Sequence, residues 1–284
     1  MKGNPGFLGL PKHFWANVRS IGQKVGYTVR NTGRIRVPTL AEIRRAFGSL
    51  GLTVAHIADD DDNLTELGAR LLSYFDYRAQ VLYESVQPRL METDRAKELF
   101  EGLHANLNPK CPIPMNKQKG EKRAPAYFTG IINMLVEANA EGLPCDYAPR
   151  ELTTVTLKDM PLRTLARWVD GAFPGAVNPI AVWEVKEYYY TTTFGSRVAD
   201  GVYESLLDGM ELEELHQEEG IEIRHLLMVD GYKTWWLDGR SYLCRIIDML
   251  HMGYADEVLF GYEVVEQLPG IVKEWVEIAK GRVR

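Results

Sequence analysis

Cysteine is scarce in this chain: Cys111, Cys145 and Cys244 are the only three, and they lie far apart. An odd, sparse set argues against a disulfide framework and fits a reducing cytoplasm. No C-x-x-C pair occurs, and the six histidines are scattered without an H-E-x-x-H, so zinc chemistry has little support. The opening residues, MKGNPGFLGLPKHFWANVR, lack the long apolar stretch of a secretory leader. No apolar run approaches the ~20 residues that cross a bilayer. These absences predict a soluble cytoplasmic protein with no membrane partner. A G-x-x-x-x-G-K-[ST] phosphate loop and a G-x-S-x-G elbow are also missing. What remains is ordinary globular composition, 45% hydrophobic and 25% charged over 284 residues, enough for a core with a lobe attached.

The net charge is −6, but it is unevenly spread. Residues 1–50 carry nine Lys/Arg and one acid, Glu42, whereas residues 151–284 carry thirteen Lys/Arg and twenty-three acids. A polyanion would be gripped by the basic front. The acidic back is either a solvated face or, in part, a place where carboxylates hold a cation.

Along the chain, residues 13–24 read as a helix. Val25–Val29 and Ile35–Val37 read as short strands around an Asn-Thr-Gly turn. Thr39 and Glu42 have capping-box spacing for a helix running to about Ser49. Helix, basic hairpin and basic helix form a module suited to touching phosphates, with Arg30, Arg34, Arg36, Arg44 and Arg45 as candidate DNA contacts. Asp59–Asp62 reads as the start of a helix over 63–86, since acids favour a helix N-terminus; the spacing of a calcium loop is missing. A further helix is predicted at 93–105. Residues 106–125 are rich in Pro and Lys and read as a linker, where Lys117, Lys119, Lys122 and Arg123 could track a nucleic-acid backbone. Two units follow: a mainly helical, basic lobe over 1–110 and a core over 111–284. In the core, a helix at 126–140 precedes strands at 153–157, 164–169 and 180–185. A helix from Ser196 to Leu207, a strand at 224–229, a helix at 239–252, a strand at 257–265 and a helix at 269–280 complete an α/β fold with a central mixed β-sheet flanked by helices.

Chemistry concentrates between Trp168 and Lys186. One acid, Asp170, ends a predicted strand, and a Pro/Gly turn leads to an apolar strand that closes on Glu184-Val185-Lys186. Side chains two apart on a strand share a face, so Glu184 and Lys186 project together. Lys186 is the only lysine with an acid two residues before it. Gathering two carboxylates and an ammonium is costly unless something is gained, and a divalent cation on Asp170 and Glu184 would offset much of that cost. Oxygen ligands without His or Cys favour Mg²⁺, with Mn²⁺ as the alternative. Beyond this strand lie Tyr188-Tyr189-Tyr190-Thr191-Thr192-Thr193 and Arg197, with hydroxyls and a guanidinium suited to sugars and phosphates.

Asp170, the turn and Glu184-Val185-Lys186 resemble the PD-(D/E)XK nuclease motif, with Val169 where proline often stands. The following helix, strand, helix order is similar too, over roughly residues 126–265. The resemblance implies a restriction-endonuclease-like core in which Asp170, Glu184 and the Val185 carbonyl bind Mg²⁺ and Lys186 positions or activates the attacking water. It also implies an acid on the preceding helix, for which Glu137 is the candidate. A free-standing chain of this size with a large extra lobe resembles a type II restriction endonuclease. That implies a double-stranded DNA substrate, a homodimer acting on a short site and a cognate DNA methyltransferase. Two alternatives stand: a repair or phage-defence nuclease of the same fold, and a non-catalytic DNA-binding regulator.

Overall fold

The computed structural model describes residues 1–118, 121–189 and 195–282, with the side chains of all of these except 117, 118, 121–123 and 196. The expectation for Lys117, Lys119, Lys122 and Arg123 therefore lies outside the described residues and side chains. The N-terminal part is helical: α1 (Lys12–Val25), α2 (Leu40–Ser49), α3 (Glu66–Val81) and, after a π-helical turn at Leu82–Val86, α4 (Thr93–Leu107). The hairpin β1 (Met115–Gln118) and β2 (Glu121–Pro125) leads to α5 (Tyr127–Asn139) and a second hairpin, β3 (Thr154–Leu157) and β4 (Met160–Thr164). Next come β5 (Gly171–Phe173), β6 (Ala181–Lys186), α6 (Ser196–Glu219) and β7 (Arg224–Val229). The chain ends with α7 (Arg240–His251), β8 (Glu257–Phe260) and α8 (Glu263–Arg282).

β5, β6, β7 and β8 form one mixed sheet in that order, antiparallel between β5 and β6 and parallel thereafter. The interior strands are mostly apolar, with both faces covered, and β6 carries the buried charged pair Glu184 and Lys186 at its end. Ala181, Trp183, Leu226 and Met228 face α5 and α8, where Trp183 stacks on Trp275 with ring centres 5.7 Å apart. Val182, Leu227 and Val229 face α6 and α7. The outer edges are blunted too: Asp146 pairs with Ala172, and Lys2 bridges to Glu257. The architecture is thus α/β, a mixed sheet flanked by helices, with a helical N-terminal region.

That region has its own core of Phe14, Trp15, Ile21, Phe47, Tyr74 and Phe75. The Thr39–Glu42 capping box forms as the spacing predicts. The aspartate run does not start α3. Thr65 caps that helix by accepting from the Gly68 N–H, while Asp59 accepts from the N–H groups of Asp61 and Asn63 in a loop. The lobe is locked to the core through α7: Arg78 Nη1 lies 2.9 Å from Asp248 Oδ1, the Tyr74 hydroxyl donates to the same oxygen at 2.6 Å, and all three are buried.

Several boundaries differ from the sequence reading. The bounds 1–110 put α4 in the lobe, but Ala96 and Phe100 pack on α5, so it belongs with the core. The linker at 106–125 contains the β1–β2 hairpin. The strand expected at 164–169 ends at Thr164. Thr164 is the last residue of the β3–β4 hairpin, and beyond it the Ala166 N–H donates to the Glu211 carboxylate on α6. β8 stops at Phe260 because Gly261 adopts φ 49° and Glu263 accepts the Phe260 N–H, opening α8 six residues before Pro269.

Candidate active site

Asp170 stands one residue before β5, where the register Gly171–Trp183 sets it opposite Glu184. Its N–H donates to the Trp183 carbonyl at 3.1 Å, and its Oδ2 accepts the Val185 N–H at 2.7 Å. The carboxylate thus takes the place of a backbone acceptor that the short β5 does not supply. Asp170 therefore begins a strand; it does not end one. Glu184 is 0% exposed, on the face covered by α6. Lys186, also buried, donates from Nζ to Glu184 Oε2 at 2.7 Å, as the two-residue spacing predicts.

Arg167 completes the cluster. Its Nη1 lies 2.9 Å from Glu184 Oε1, an ion pair without hydrogen-bond direction, and also binds Asp208 Oδ2 on α6. Its Nη2 is 3.5 Å from Glu204 Oε2. Among the described residues, Asp208 Oδ1 is buried without a hydrogen-bond partner, and Glu184 Oε1 has only the Arg167 ion pair. Gly201 on α6 is what lets Lys186 lie beneath the helix, since a Cβ there would crowd Lys186 Cδ at 3.3 Å and run into the Tyr188 hydroxyl.

Three carboxylates, Asp170, Glu184 and Asp208, meet two cations, Arg167 and Lys186, with the exposed Glu204 as a fourth acid at Arg167. The imbalance shows in the acids' proton affinities. Asp170 is exposed to water at the cavity, yet the protein crowded around it, then Glu184, push it up to about 6, against the pull of Lys186 and the Val185 N–H. Desolvation, then Glu184, push Asp208 up to about 7. Burial acts the same way on Glu184, but Lys186 and Arg167 outweigh it and hold that carboxyl below its ordinary range. Burial also raises Glu187, which accepts from the N–H and hydroxyl of Thr129 at the start of α5.

Asp170, Glu184 and Lys186 line one cavity of about 410 Å³, with Arg197, Asp200 and Glu204 from α6. Asp170, Arg167 and Val185 also line a second cavity of about 540 Å³ on the side of Trp168 and Thr129. No group of three or more His, Cys, Asp or Glu is arranged to hold a metal among the described residues. A cation here would rest on two carboxylates and the Val185 carbonyl, with water for the rest, as Mg²⁺ tolerates. The surplus carboxylate fits such a cation; the ion pair of Arg167 with Glu184 Oε1 competes with it.

The other expected residues scatter. Glu137 lies in the C-terminal half of α5 and accepts the Lys110 N–H at 2.9 Å, so the structure does not bring it to the cavity. Arg36 pairs with Glu42, and Arg44 pairs with Asp62. Arg30, Arg34 and Arg45 are exposed and form no ion pair among the described residues. Arg197 stands exposed at the mouth of the cavity. Sequence reading missed Arg167, Asp208, Glu204 and Glu187. The one available signal was the i, i+4 spacing of Asp200, Glu204 and Asp208 along α6.

Two family models match the chain. One, described as a domain of unknown function (DUF7690), covers residues 1–85, and the other, a domain of unknown function (DUF7687), covers residues 91–275. Their junction falls between α3 and α4, where the lobe gives way to the core. No curated protein and no solved structure matches the chain. As the second match spans well over half of its length, the chain belongs to the DUF7687 family.

Proposed function

We propose that the chain is a Mg²⁺-dependent endodeoxyribonuclease with a PD-(D/E)XK, restriction-endonuclease-like core, hydrolysing phosphodiester bonds in double-stranded DNA. The observation that carries this reading is the convergence of Asp170, Glu184 and Lys186 on one cavity with one negative charge in surplus. Asp170, Glu184 and the Val185 carbonyl would hold the cation. When bound, it would polarise phosphate oxygens and lower the pKa of water. Lys186, an ammonium beside that position, opposes the negative charge that grows on the phosphate as water adds and the bridging P–O bond breaks. Arg167 fixes Glu184 against α6, keeping its carboxylate ionised. Exposed Arg30, Arg34, Arg45 and Arg197 supply phosphate contacts. Sequence-specific cutting as a type II restriction enzyme, by a symmetric homodimer beside a cognate methyltransferase, is the most economical biology for a free-standing chain of this kind.

A second reading, a non-catalytic DNA-binding regulator, draws on one observation: both Glu184 oxygens already have a cation beside them. Plasmid digestion with Mg²⁺ or Mn²⁺ decides. Discrete bands support the restriction enzyme, a smear or junction-dependent cutting supports a repair or phage-defence nuclease, and intact plasmid in both metals supports the regulator.

A further inference from the structure

Five of the six tryptophans, Trp15, Trp183, Trp235, Trp236 and Trp275, are buried, whereas Trp168 is 58% exposed. It stands two residues before Asp170, and the intervening Val169 is buried. Its indole lines the 540 Å³ cavity with Pro114, Tyr147 and Pro149, and that cavity shares Asp170, Arg167 and Val185 with the acidic one. One side of Asp170 is thus acidic and charged, while the other is a slot of flat and apolar side chains, open to water. A nucleobase matches the slot in chemistry: it is flat, stacks on aromatic faces irrespective of its identity, and is tied to a phosphate one sugar away.

We propose that Trp168 is a stacking platform for an unstacked base of the substrate strand, next to the phosphate that Asp170 addresses. This rests on the nuclease reading and narrows its substrate. The nucleotide beside the cut leaves the base stack, so sites where bases unpair readily are cut fastest. Arg167, lining both cavities, stands where the linking backbone would pass.

Binding to the full chain without divalent metal tests the platform independently of cutting. The probes are oligo(dT) of about 20 nucleotides and an abasic oligonucleotide of equal length, read by tryptophan emission and by anisotropy. Oligo(dT) is expected to quench wild-type emission and the abasic strand not to, with no quenching left in W168F. W168A should bind oligo(dT) roughly 5- to 150-fold more weakly, while its affinity for the abasic strand is unchanged and W168F stays within about threefold of wild type. Equal loss for both strands, no loss in W168A, or no binding of oligo(dT) by wild type would overturn the platform. So would a wild-type dimer that W168A turns into a monomer, since a second copy would then cover the indole. Plasmid cutting unaffected by W168A would leave the nuclease reading standing and remove this one. The quenching pattern in a chain that cuts nothing would do the reverse.

Discussion

Arg167 and Glu184 meet at 2.9 Å beneath α6, so the carboxylate expected to hold a cation is already countered by a guanidinium from the segment leading into Asp170. Arg167 also holds Asp208. Its removal leaves the buried Asp208 without a cation and Glu184 with Lys186 alone. Breaking a buried pair costs about 3–5 kcal/mol, and because Arg167 is partly exposed we expect the lower end, about 3 kcal/mol, for R167M in urea denaturation. Adding D208N should recover about half of the loss; R167M within 1 kcal/mol of wild type would show that the cluster is not a structural unit.

Asp170 links stability to pH. Its carboxyl is raised to about 6, so its favourable contribution is complete below the ordinary carboxylate value near 4 and is lost as pH rises through 6. D170N should match wild type near pH 4. Without metal near pH 8 it should be more stable, by about 1–2 kcal/mol after allowing for water at the open cavity. Thermal unfolding of both proteins across this range reads the crossover. A constant difference would mean that Asp170 does not titrate in the folded chain.

Arg78 and Asp248 join the lobe to the core away from the cavity. D248N leaves a buried guanidinium without its counter-charge and should cost about 3–5 kcal/mol. If the two family-matched regions form one cooperative unit, D248N lowers a single transition. Two separate transitions already present in wild type would contradict that coupling.

Gly201 tests the route of Lys186. Alanine favours a helix interior over glycine by about 1 kcal/mol, yet its Cβ would displace Tyr188 and crowd Lys186. G201A should therefore keep its stability within about 1 kcal/mol of wild type while losing at least about tenfold in DNA cleavage. Unchanged cleavage would mean that Lys186 need not lie where it does.

The parts of this site that were legible in sequence are those that local periodicity decides. Glu184 and Lys186 share a face because strands alternate, and the apolar run around them marked an interior strand. Arg167 and Asp208 were not legible, because their meeting depends on how the irregular stretch after β4 crosses α6. Glu137 is an acid on the helix before the sheet but lies toward the far end of that helix, and the acid held at the start of α5 is Glu187. The charged loop at Asp59 looked like a helix start because a dipole argument fits any acid run before an apolar stretch. The cap that decided the matter was Thr65, a few residues later.

Binding of Mn²⁺, followed by loss of its free electron-paramagnetic signal near pH 7.5, tests the cation site most directly. Wild type should take up the ion, D170N and E184Q should not, and R167M should bind it at least as tightly per folded molecule. Wild type that leaves the signal untouched, or D170N that depletes it equally, would contradict the site.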